Sequence, residues 1–173
     1  MEEILNKVAQ SGLITFNLEE LYDQTPIESI DIKDNLFQGL ILREKDFREF
    51  VKEANWESYQ DKHVALFCSA DAVVPTWAYM LVANRLAPFA KEVFMGSPMQ
   101  LQQHIIQTKI NQMDFEQYRD KKIVVKGCSN FEVPVGAYVA LTHKMSEVAA
   151  SIMYGEPCST VPIFKRKIVR QAP

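Results

Sequence analysis

The 173-residue chain sets 19 Lys and Arg against 22 Asp and Glu, a net charge of −3, with 47% hydrophobic and 24% charged residues. Those proportions are ordinary for a globular protein of one domain or two intimate halves, long enough to bury a substantial core. The absence of a basic block argues against nucleic acid and an anionic membrane surface, and no apolar run is long enough to span a bilayer. The opening MEEILNKVAQ lacks the apolar core of a signal peptide, so a cytoplasmic, reducing setting is expected.

Residues 2–10 read as a short amphipathic helix (Ile4, Leu5, Val8), and Leu13–Phe16 as a strand. Asn17 is placed to cap a brief helical turn, NLEELY. IESIDI alternates apolar and polar residues as a half-buried strand does. Residues 1–38 as a whole read as a segment that covers an edge or forms a subunit contact. GLIL is expected to be a short strand, and EKDFREFVKEAN sets Phe47, Phe50, Val51 and Ala54 on one helix face. HVALF is a strand covered on both faces. TWAYMLVANRL, apolar nearly all round, predicts a deeply buried helix after Pro75. KEVFM is a strand, and Ser97-Pro98 is a helix start that leads Leu101, Ile105, Ile106, Ile110 and Met113 inward. KKIVVK, VGAYVALTHKMSEVAA and SIMYG give strand, helix and strand. FKRKIVRQAP reads as a basic tail, frayed or draped.

This order implies an α/β chain with mostly parallel strands and right-handed crossover helices. A shift of 59 residues lays WESYQDKHVAL on FEQYRDKKIVV, Val74-Pro75 on Val133-Pro134 and Ala78-Tyr79 on Ala137-Tyr138. One constant offset suggests a βαβα unit stated twice, over 39–90 and 91–150, with 151–173 adding a strand, a loop and the tail.

The three cysteines recur in one local setting: CSADAVVP at Cys68, CSNFEVP at Cys128 and CSTVP at Cys158. The first two follow strands and precede helices whose N-termini favour thiolate. In parallel sheets that rim is where ligands collect. Cys68, Cys128 and Cys158 are therefore the expected ligands of zinc or an iron–sulfur cluster. Ser69, Ser129 and Ser159 would hydrogen-bond to sulfur, and Asp71 is the candidate fourth ligand or acid–base group. At the 59-residue offset the thiols do not superpose, since Cys68 faces Gly127 and Cys158 faces Met99. His63 lies about five strand residues before Cys68, roughly 16 Å away, at the opposite rim. His104 and His143 fall within helices. Thiols that merely pack are the alternative, because cysteine is among the most buried residue types.

No GxGxxG, Walker loop, GxSxG, HExxH or CxxC occurs, so dinucleotide, phosphate-loop, zincin and thioredoxin-like readings find no support. The phrases GLILREKDFREFVKE, CSADAVVPTWAYML, VVKGCSNFEVP and IMYGEPCSTVPIFKR resemble an uncharacterised bacterial family, domain of unknown function 2480, over nearly the whole chain. That resemblance implies a setting in iron–sulfur metabolism, with assembly proteins as partners. In general scheme the chain is also similar to quinolinate synthase, which holds a 4Fe–4S cluster by three cysteines. The resulting expectation is a metal-binding protein, with a metal-dependent hydratase or hydrolase as one alternative. A metal-free binding module for a small molecule or protein is the other. Leu36, Phe37 and Leu40 offer a homodimer contact, with core burial as the competing use.

Overall fold

A computed structural model describes residues 12–127, 132–156 and 159–167 of the chain. In chain order its regular elements are β1 (Leu13–Asn17), β2 (Ile27–Asp31), α1 (Glu44–Glu53), β3 (His63–Phe67), α2 (Thr76–Leu86), β4 (Glu92–Met95) and α3 (Pro98–Gln112). β5 (Lys122–Lys126), α4 (Val135–Val148), β6 (Ser151–Glu156) and β7 (Ser159–Lys165) follow. The chain is a mixed α/β protein with parallel sheets and helices. It divides into two compact units: unit I is Gln24–His104, and unit II joins Met1–Asp23 to Ile105–Pro173.

Unit I holds a parallel sheet of order β2-β3-β4. Ile27 pairs with His63, and His63 in turn with Glu92. The central strand HVALF buries Val64, Ala65 and Leu66 on both faces, which is why it is uniformly apolar after His63. α1 turns Phe47 and Val51 inward while Arg48 pairs with Glu44 at 2.9 Å on its wet side. The Trp56 indole N–H donates to the Val51 carbonyl at 2.8 Å, so its one polar atom is satisfied inside the core. Phe47, Val64, Val82 and Leu86 are fully or nearly fully buried in this cluster, each side chain contributing about 1.5–3 kcal/mol by burial.

Unit II holds a sheet of order β1-β5-β6-β7. β1, β5 and β6 are parallel, with Leu13 beside Lys122 and Lys122 beside Ser151. β7 runs antiparallel to β6, with an irregularity between Ile152 and Met153. Phe16, Leu18, Ile106, Ile110, Ile123, Leu141 and Met145 form a separate core.

Several expectations need correction. GLIL is not a strand. Gln38 and Gly39 both take positive φ, 51° and 70°, and Leu40 N–H donates to the Phe37 carbonyl at 3.1 Å. That is a tight turn of the type that wants glycine second, and it leaves Leu40 and Ile41 exposed. The strand that pairs with β3 is instead β2, so the N-terminal segment supplies a strand to each sheet rather than a cover. α2 is not buried all round: Ala78, Val82 and Leu86 face the core while Met80 stands 67% exposed. α4 likewise buries Ala137, Leu141 and Met145 but leaves Val135 and Val139 in solvent. The C-terminal stretch forms β7 through Lys165, and the Arg166 guanidinium donates to the Val148 carbonyl at 2.6 Å, closing the end of α4. The expected helix over residues 2–10 lies outside the described residues.

Candidate functional site

In unit I the chain leaves β3 at Cys68, which is half-buried and directs its thiol at the Ala70 carbonyl, 3.7 Å away. Ser69 has a clear structural task. Its backbone N–H donates to Asp31 Oδ1 at 3.0 Å and its hydroxyl to Asp31 Oδ2 at 2.6 Å. Asp31 ends β2 and also caps the following turn by accepting from Lys33 N–H at 3.0 Å. The serine thus ties the carboxyl ends of two neighbouring strands. Burial pushes Asp31 upward, but the hydrogen bonds from Ser69 and Lys33 outweigh it and hold the carboxyl below its usual range. Tyr79 on α2 lies close by: burial raises its hydroxyl pKa, and the charges of Cys68 and Asp31 push the same way. Asp71 is exposed three residues past Cys68.

Cys128, Ser129 and Cys158 lie outside the described residues. Ser159 is exposed and opens β7, paired with Glu156 across the antiparallel ladder. The context of CSTVP therefore differs physically from that of CSADAVVP, because a returning strand follows it where a helix follows the other. Among the described residues no group of three or more His, Cys, Asp and Glu side chains could hold a metal ion. On that finding, among the described residues, the expectation of a metal-binding function is overturned. At the opposite end of β3, the buried His63 sits with Nδ1 3.1 Å from Glu92 Oε2, and His104 Nε2 lies 3.0 Å from Glu92 Oε1. One carboxylate spans two imidazoles there, and Phe94 stacks on His104 at 4.8 Å.

The concave feature of unit II was not expected from the sequence. Toward the carboxyl ends of β5 and β6 lies a cavity of about 500 Å³, within the range of small-molecule sites. Val125, Val133, Ile152 and Met153 give it apolar walls, and Val135 and Ile163 stand at its exposed side. Tyr138, Thr142 and Tyr154 supply hydroxyls, and Glu132 is the charged side chain among its described lining. The rings of Tyr138 and Tyr154 meet edge to face at 5.7 Å and 84°. Gly127 makes room for this arrangement, since a Cβ there would lie 2.5 Å from the Tyr138 hydroxyl oxygen. The cavity's four contributing elements, β5, α4, β6 and β7, follow one another in the chain. It forms only when the crossover brings α4 over the sheet and β7 returns beside β6. Of its residues the sequence singled out Tyr138, as the match of Tyr79 at the 59-residue offset.

Parallel strands, crossover helices and a mainly apolar cavity near strand carboxyl ends define a mixed α/β protein. The chain belongs to the family described as protein of unknown function (DUF2480), whose model matches residues 2–166. No curated protein matches the chain, and no solved structure does either. Among the described residues, no helix is long and apolar enough to cross a membrane.

Proposed function

We propose that the protein binds a small, predominantly apolar molecule in the unit II cavity. The observation that carries this reading is the pairing of apolar walls with three hydroxyls in about 500 Å³. Apolar walls supply affinity by burial, and a few placed polar groups fix orientation. The uncharged naphthalene dye Prodan should bind at one site per chain with enhanced emission. Thr142→Trp, which fills the cavity from α4, should abolish that signal while leaving the far-ultraviolet circular dichroism unchanged. Dye binding that is absent from the native protein, or indifferent to Thr142→Trp, would reject the site.

We also read the two units as diverged copies of one strand–helix–strand plan. In support, the register His63–Glu92 recurs as Lys122–Ser151, each partner 59 residues on. α2 and α4 begin at Thr76 and Val135, again 59 apart. The strands paired with β3 and β5 depart from that offset, since β1 precedes β2 in the chain. Met153 of the cavity wall corresponds to Phe94, which unit I commits to stacking on His104. That divergence favours unit II as the ligand-bearing copy.

A further inference from the structure

Resting on the cavity reading above, we propose that the site selects its ligand by charge. It takes an apolar body carrying a neutral or cationic hydrogen-bond donor, such as an amine or hydroxyl, and disfavours carboxylates and phosphate esters. The walls contributed by Val125, Val133 and Ile152 have nothing to offer a charged group. The charge within reach is that of Glu132, which is exposed and sits three residues before the start of α4. The N-terminus of α4 carries roughly half a positive charge, and Glu132 brings a full negative one to the same end of the helix, so the mouth is net negative. Nearby Lys126 does not reverse this sign, because Glu156 stands 4.0 Å from its ammonium. The hydroxyls of Tyr138, Thr142 and Tyr154 can donate or accept, so a neutral polar group is accommodated and the sign of a charged group is left to Glu132.

Coulomb attraction at about 4 Å in a water-like medium amounts to roughly a fivefold change in affinity. Three probes of one shape test this: 2-naphthylmethylamine, 2-naphthylmethanol and 2-naphthoate, titrated by calorimetry against the full chain. The amine should bind about fivefold tighter than the alcohol, and the carboxylate more weakly than either. Glu132→Gln should erase the amine's advantage while sparing the alcohol, and 1 M NaCl should shrink it in the native protein by screening. If the alcohol binds and Thr142→Trp abolishes it, but the three probes show no charge order or an order that Glu132→Gln leaves intact, the selectivity is wrong and the cavity reading stands. If none of the three binds, the cavity reading itself fails.

Discussion

Asp31 shows how one side chain can carry an arrangement that the sequence presents as something else. The Cys-Ser phrase at Cys68 draws attention to the thiol, yet it is Ser69 that makes the two contacts, both to a carboxylate 38 residues earlier. Nothing in periodicity or spacing announces a partner at that separation, so the serine was legible as special and its role was not. Because the folded carboxyl is held below its ordinary range, its contribution to stability is present above the unfolded pKa of about 3.9 and is lost as pH falls through the folded value. Asp31→Asn removes that linkage. Urea midpoints measured between pH 5 and pH 2 should fall less steeply for the variant than for the native protein. Ser69→Ala, which keeps the backbone donor but loses the hydroxyl, should lie between them. Parallel curves for all three proteins would show that Asp31 ionisation is not coupled to folding.

At the scale of elements, most of the alternation was readable because burial imposes it. VALF and IVV are apolar throughout since both faces of a central parallel strand are covered. Ser97 works as its type implies, exchanging hydrogen bonds with Gln100 at 3.3 and 2.8 Å to cap α3. GLIL misled because four apolar residues satisfy a strand pattern, while the two positive-φ residues that make the turn are Gln38, which carries no such signal, and Gly39. α2 misled because an apolar composition does not reveal which face has a partner. The C-terminal residues read as a tail because their charges resemble a solvated end, whereas Arg166 uses its charge on the last carbonyls of α4. Hydrogen bonds to a charged group are worth about 1.5–3 kcal/mol when well sheltered; this guanidinium is partly exposed, so Arg166→Ala should cost about 1 kcal/mol. The loss should appear as faster amide exchange in the last turn of α4. Unchanged exchange there would mean that the terminus is closed by other groups.

At the scale of the molecule, two separate buried clusters, one around Phe47 and Leu86 and one around Leu141 and Met145, give each unit its own core. The described lining of the cavity belongs entirely to the second, which makes the expected consequence of ligand binding local to that unit. A ligand that binds only the folded state stabilises it by about 2.7 kcal/mol at one hundred times its Kd. With Prodan at that excess, amides of β5, β6 and α4 that exchange through local opening of unit II should slow strongly, by up to about a hundredfold. Amides of β3 that exchange through opening of unit I should keep their rates, because no residue of that core touches the cavity. Hydrogen exchange read by mass spectrometry resolves the two sets. Equal slowing of β3 and β5 would instead mean that the units open only together, so that ligand energy gained beside Tyr154 is shared by every buried amide. No slowing in β5 or β6, with dye bound, would place the dye elsewhere and remove the cavity from the account of function.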